Sequence, residues 1–244
     1  MKNQFQQLYR DNLKRPAMPV NLTRNEAGTA TLYIYDVIDA DWGVGAKDVI
    51  AALASIEGTP DLHIHINSPG GDVFEGRAIM AAIQRYEGKT TAHIDSLAAS
   101  AATSIALAAD EVVISQGAFF MIHNASGLVW GDKNAMRETA DLLEKIEGAI
   151  VADYTGKTGA DAAQVVAWMD AETWFNADEA VANGFCDRLA EAPKGAAKNA
   201  WNLAAFSNAP AALKAPPKEP EPVPEPEPCM TTANANRLKL LTIL

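Results

Sequence analysis

The chain has 244 residues, and its 31 acidic against 20 basic side chains give a formal net charge of −11 and a pI near 4.8. Phosphate binding needs clustered lysine and arginine, which are absent, so nucleic acid is excluded as the main partner. Cys186 and Cys229 lie far apart without CxxC spacing, which argues against a disulfide framework or a zinc site and for a reducing compartment.

The first residues lack the apolar core of a signal peptide, and the longest uncharged apolar run, 96–109, is shorter than the roughly 20 residues that span a bilayer. A soluble, cytoplasmic protein with no membrane partner is expected. Residues 1–29 are polar and mixed and read as a loosely ordered leader. The first clear strand is Thr31-Leu32-Tyr33-Ile34-Tyr35. Apolar runs then alternate with helix-length segments: helix 47–56, strand 62–66, helix 73–86, strand 90–94, helix 100–109. This alternation predicts an α/β fold of βαβ units with a mainly parallel sheet.

Strands 111–114 and 119–122 follow. A long helix is predicted over 133–154, because Met136, Ala140, Leu143, Ile146 and Ile150 recur at helical spacing and make one face apolar. The last predicted helix, 176–183, begins with Asn176 as N-cap and Glu179 three residues on, and stops at Gly184. The folded domain is therefore assigned to 30–190. Beyond it, 191–213 is rich in alanine and lysine, and 215–228 is a proline-glutamate linker expected to be extended and solvated. Residues 233–244 form a short amphipathic end, read either as a docking segment or as a frayed terminus.

The candidate chemistry lies where strands end. Ser100 follows Leu97-Ala98-Ala99 and stands at a helix N-terminus, where free N–H groups and the helix dipole favour negative charge. That makes it a candidate nucleophile or a plain N-cap. His123 follows the strand Phe119-Phe120-Met121-Ile122 and suits a general base, whose proton transfer is worth about 10²–10⁴-fold. The Gly70-Gly71 turn after Ile66-Asn67-Ser68-Pro69 presents bare backbone N–H groups. With the N–H of Ala101, that of Gly71 could form an oxyanion hole, where one donor is worth roughly 3 kcal/mol. The turn matches neither GxxxxGK[ST] nor GxGxxG, so a phosphate cradle is weakly supported. Asp170 and Glu172 are equal candidates for an acid that orients the histidine. His63 and His65 share one face of a strand, lack a third ligand of suitable spacing and are assigned no role.

As a set these residues resemble the proteolytic subunit of the Clp protease (ClpP) and, more closely, the Clp-like head maturation proteases of phages and prophages. The resemblance covers about 30–190. It rests on Ile66-Asn67-Ser68-Pro69-Gly70-Gly71-Asp72, Ala99-Ser100-Ala101, Met121-Ile122-His123 and Phe175-Asn176-Ala177-Asp178-Glu179-Ala180 with Gly184 after it. It implies a crotonase-like ββα superhelix fold with a disordered C-terminal tail, homo-oligomeric rings, heptameric or stacked, and a helix 133–154 that serves as the ring-to-ring handle. It further implies Ser100 as nucleophile, His123 as base, Gly71 and Ala101 as oxyanion donors, and Glu172, with Asp170 in reserve, where the family usually carries aspartate.

The expected activity is that of a serine endopeptidase using neither metal nor organic cofactor. The resemblance implies phage scaffold and capsid precursors as substrates and leaves a host unfoldase open as a partner. Two rival readings remain. One is a non-catalytic head-assembly protein on the same fold. The other is a crotonase-type acyl-CoA enzyme, which would explain the two backbone donors but not the Ser100 and His123 pair.

Overall fold

In the strands β2 (Ala30–Ile34) and β3 (Leu62–Ser68) alternate residues are fully buried: Ala30, Leu32 and Ile34, then Leu62, Ile64 and Ile66. A period of two puts these side chains on one face, against the helices, and leaves Thr31, Tyr33, His63 and His65 on the other. The computed structural model describes residues 20–24, 29–191, 203, 206–210 and 213. The linker 215–228 and the amphipathic end 233–244 lie outside the described residues, as do residues 1–19 of the expected leader.

Helices cover the buried face, beginning with the two that flank β3 in the chain. The first, α1 (Ala46–Ala54), buries Val49; the second, α2 (Val73–Gln84), buries Ile79 and Ile83. Asp72 caps α2, its carboxylate accepting the N–H groups of Phe74 and Glu75 at 2.7 and 3.0 Å. Glu75 in turn accepts the N–H of Ala46 at 2.6 Å and so joins the two helix starts. The chain continues through β4 (Thr90–Ala99), α3 (Ala101–Ala106), β5 (Glu111–Ile114), β6 (Phe119–Ile122) and α4 (Lys133–Thr158). It closes with α5 (Ala162–Asp170), β7 (Thr173–Asn176), α6 (Ala177–Ala182) and β8 (Arg188–Leu189).

These strands form an eight-stranded sheet in the order β1-β2-β3-β4-β5-β8, where β1 is Asn21–Arg24, and β6 pairs with both β4 and β7. Pairing is parallel except between β1 and β2 and between β6 and β7, in line with the expected mainly parallel sheet. Strand β4 changes partner along its length. Its first half pairs with β5, Thr91 to Ile94 against Glu111 to Ile114. Its second half pairs with β6, Leu97 against Phe119 and Ala99 against Met121.

Four differences from the sequence reading have physical causes. Strand β1 lies inside the segment read as leader, because edge pairing with β2 recruits residues of no apolar pattern. Strand β4 runs to Ala99 rather than Ile94, since Leu97, Ala98 and Ala99 are buried from both sides and leave no alternation to read. Helix α5 has no counterpart among the expected elements: only Val165 and Met169 of its nine residues are buried, too short a stripe to show periodicity. Helix α4 continues past 154 to Thr158 and stops at Gly159, whose φ of 70° is the left-handed C-cap conformation. The capping box expected for α6 is present: Asn176 Oδ1 accepts from Glu179 N at 3.0 Å, and Glu179 Oε2 accepts from Asn176 N at 2.9 Å.

Candidate active site

The partner change of β4 creates the site. Because Ala99 pairs with Met121 and Ile122 pairs with Thr173, Ser100 and His123, just past the ends of β4 and β6, and Glu172, just before the start of β7, stand at the same end of the sheet. The three come from distant parts of the sequence, and strand register sets them side by side.

Ser100 caps α3 with φ 55° and ψ −126°, a region that non-glycine residues occupy at a cost of about 1–3 kcal/mol. Its surroundings hold it there. Its N–H donates to the Met121 carbonyl at 2.9 Å, and its own carbonyl accepts the Thr103 hydroxyl at 2.6 Å. That hydroxyl also meets the buried Tyr154 hydroxyl of α4 at 2.6 Å, so a polar column runs from α4 up to the serine backbone. The result is an Oγ held at a sharp strand-to-helix turn, 2.8 Å from His123 Nε2.

His123 is half-buried, and burial lowers its pKa below the ordinary imidazole value while Glu172 acts in the opposite direction. A lowered pKa favours the neutral ring, the form that can accept a proton from the serine. The Glu172 carboxylate accepts the Trp174 indole N–H at 3.2 Å and the backbone N–H groups of Ser207 and Asn208 at 2.9 and 2.6 Å. Asp170 is placed differently: it is exposed and accepts the Asn124 amide at 2.7 Å, which ties down the loop after His123. Of the two candidate acids, Glu172 is the one whose charge acts on the imidazole.

The glycine turn reaches the serine from the β3 side. A Cβ on Gly70, which has φ 87°, would lie 2.5 Å from the Ala99 carbonyl and 2.8 Å from Ser100 Cβ. A Cβ on Gly71 would lie 2.1 Å from the Ile38 carbonyl oxygen. Glycine alone permits this approach. Among the described residues no hydrogen bond takes up the N–H of Gly71 or of Ala101, and both residues line the same cavity as Ser100 and His123. That cavity measures about 450 Å³ and runs beneath α4, where Leu142, Leu143 and Ile146 face it, with Phe74 and Leu128 at other points of its wall.

His63 and His65 stand on the opposite face of the sheet, away from this cavity. Their rings join His93, with His63 Nδ1 2.8 Å from His93 Nε2 and His65 stacked on His93 at 4.7 Å between centroids. His65 also contacts Asp95 at 2.8 Å, and the Tyr35 hydroxyl donates to the same carboxylate. Among the described residues no group of three or more His, Cys, Asp or Glu is arranged to hold a metal ion. No described helix is long and apolar enough to cross a membrane.

Sequence reasoning gave no role to Trp174 beside the acid, and it missed Thr103, Tyr154 and the segment around Phe206. The last had a faint signal, Leu203 and Phe206 as bulky apolar residues within an alanine-rich stretch.

A mainly parallel α/β sheet that brings a serine, a histidine and a carboxylate together at one end, beside two amides that no hydrogen bond among the described residues takes up, has the arrangement of a serine hydrolase. Residues 28–193 match the family model described as Clp protease, and the chain belongs to that family. It is 29% identical over 166 residues to the ATP-dependent Clp protease proteolytic subunit 1 of Protochlamydia amoebophila, covering 65% of this chain and 79% of that protein. It is 31% identical to the proteolytic subunit 2 of Pseudomonas aeruginosa, over 59% of this chain and 74% of that protein. A solved structure of a ClpP1 point mutant from Listeria monocytogenes superposes with a TM-score of 0.60 at 25% identity, covering 66% of this chain and 91% of the other. The fold is therefore the ClpP-like one, and the family supports a peptidase function.

Proposed function

We propose that the chain is a serine endopeptidase in which Ser100 is the nucleophile, His123 the general base, Glu172 the orienting acid, and the N–H groups of Gly71 and Ala101 the oxyanion hole. The observation that carries this reading is the 2.8 Å contact between Ser100 Oγ and His123 Nε2. Ser100 Oγ attacks the scissile carbonyl carbon as its proton passes to His123 Nε2. The carbonyl oxygen becomes an oxyanion between the two amides. The C–N bond then breaks, the leaving amine takes the proton from His123, and an acyl-Ser100 ester remains. Water, deprotonated by His123, hydrolyses that ester and restores the serine. The apolar wall of Leu142, Leu143 and Ile146 suits substrates that place an apolar side chain beside the scissile bond.

The proposed substrates are scaffold and capsid precursors processed during phage head maturation in the host cytoplasm, with the enzyme assembled into homo-oligomeric rings. The support for this assignment is the resemblance of the motif set to the phage and prophage proteases given in the sequence analysis.

The test is labelling of the purified chain by a fluorophosphonate. Ser100 is modified in the wild type, whereas Ser100→Ala loses labelling and cleavage of co-expressed head proteins and keeps its melting temperature. Absence of labelling in the wild type overturns the catalytic reading and favours an assembly protein on the same fold. Binding of coenzyme A without labelling would favour the acyl-CoA alternative.

A further inference from the structure

Strands β4 and β6 are apolar on both faces near the site. Ala98, Phe120 and Ile122 join the main core, while Leu97, Ala99 and Met121 point the other way. That second face has its own cover: Leu203 and Ala209 are buried against it, with Phe206 and Leu213 packed beside them. A segment that composition reads as the start of a tail therefore lies along the site end of the sheet. What it touches there is polar as well as apolar.

We propose that residues 206–208 are a positioning element of the active site, a strap that holds Glu172 and closes off His123; this inference rests on the serine endopeptidase reading above. Three observations converge on it. Two successive backbone donors, Ser207 N and Asn208 N, bind both oxygens of the Glu172 carboxylate. The Asn208 side chain anchors the strap to the Ala171 carbonyl at 2.7 Å, one residue from the acid. The Phe206 ring stands edge-on between His123 and Trp174, with centroids at 5.5 and 5.6 Å, and Trp174 gives the third N–H to the carboxylate.

A carboxylate offers about four acceptor positions, and these three donors leave one for the imidazole. Glutamate is one methylene longer than aspartate and has more rotamers, so an acid at this position needs external restraint. Glu172 itself adopts φ 48°, a turn conformation that alone does not fix its side chain. The strap supplies that restraint, and it explains the presence of Trp174 beside the acid.

The test uses the full-length chain and a fluorophosphonate probe, with the labelling rate followed as a function of pH. Phe206→Ala slows labelling about tenfold and moves the acid limb of the profile to higher pH, because water reaches an imidazole whose pKa is held down mainly by burial. Phe206→Leu, which keeps the apolar cover, returns most of the rate and the original limb. Asn208→Pro deletes one donor to the carboxylate and slows the wild type about fivefold, but has no further effect in a Glu172→Gln background if the strap acts through the acid. Wild-type rates and an unmoved acid limb in both Phe206→Ala and Asn208→Pro, with Ser100 still labelled, would overturn the strap and leave the endopeptidase reading standing. A wild type that never labels removes both.

Discussion

His93 lies within β4 and His123 just past the end of β6 in the same sheet, and burial is the leading cause of a lowered pKa for both. Their surroundings differ in kind. His93 on β4 faces other side chains of similar character, the rings of His63 and His65, and ends in a closed polar stack on the outer face. His123, one strand over, faces a serine hydroxyl and an open cavity of about 450 Å³. A depressed histidine is thus no signature of catalysis by itself. What distinguishes the two is whether the neutral nitrogen has a proton to accept and room beside it for a substrate.

The sharpest way to break that contrast is to remove each ring. His123→Ala should lower fluorophosphonate labelling of Ser100 by about 10³-fold, whereas His93→Phe leaves the rate within about twofold. Equal losses would show that both faces serve the same chemistry. Next in size, Glu172→Gln should slow peptide turnover about 10²-fold, because an amide cannot stabilise the imidazolium. Asp170→Asn should cost a few-fold, since that carboxylate binds only the Asn124 amide among the described residues. The reverse order in steady-state kinetics would reassign the acid.

Stability against pH probes the outer face. His93 is held down to about 4, chiefly by burial, then by His65 and His63, with Arg188 adding slightly and Asp95 opposing. Between that value and the 6.5 of an ordinary imidazole, the unfolded chain binds a proton that the folded chain refuses. The contribution of His93 to stability is therefore fully present above about pH 6.5 and is lost as the pH falls toward 4. Melting temperatures across that window should fall in the wild type and fall less in His93→Phe; identical slopes would show that the stack does not govern acid sensitivity. The smallest effect belongs to the column under the serine. Tyr154→Phe removes a buried hydroxyl bonded to Thr103 and should cost ~1 kcal/mol in urea unfolding, with labelling of Ser100 changed by less than about threefold.

Local pattern carried much of the fold. Strands β5 and β6 coincide with the predicted 111–114 and 119–122 because apolar β-branched and aromatic runs bounded by turn residues read unambiguously. The capping box of α6 was legible for the same reason, being a bond between residues three apart. Helix α5 and strand β7 were not, since their burial depends on partners distant in the chain. At the site, the glycine turn and the strand-end positions of Ser100 and His123 could be read from the sequence. Two of the three restraints on Glu172 could not, because they come from backbone N–H groups 35 and 36 residues further on.

The amino-acid order alone marked the strands and helices that carry a strong local pattern, though not β1, α5, β7 or β8, and it showed that a serine, a histidine and a pair of glycines would each stand where a strand ends. Only the tertiary structure decided that these ends meet: β4 abandons β5 for β6 after Ile94, and β7 returns antiparallel beside β6. The reason is that hydrogen-bond register between strands is a non-local quantity, set by how both faces of each strand are covered. The cover on one of those faces is a segment whose own composition reads as a tail.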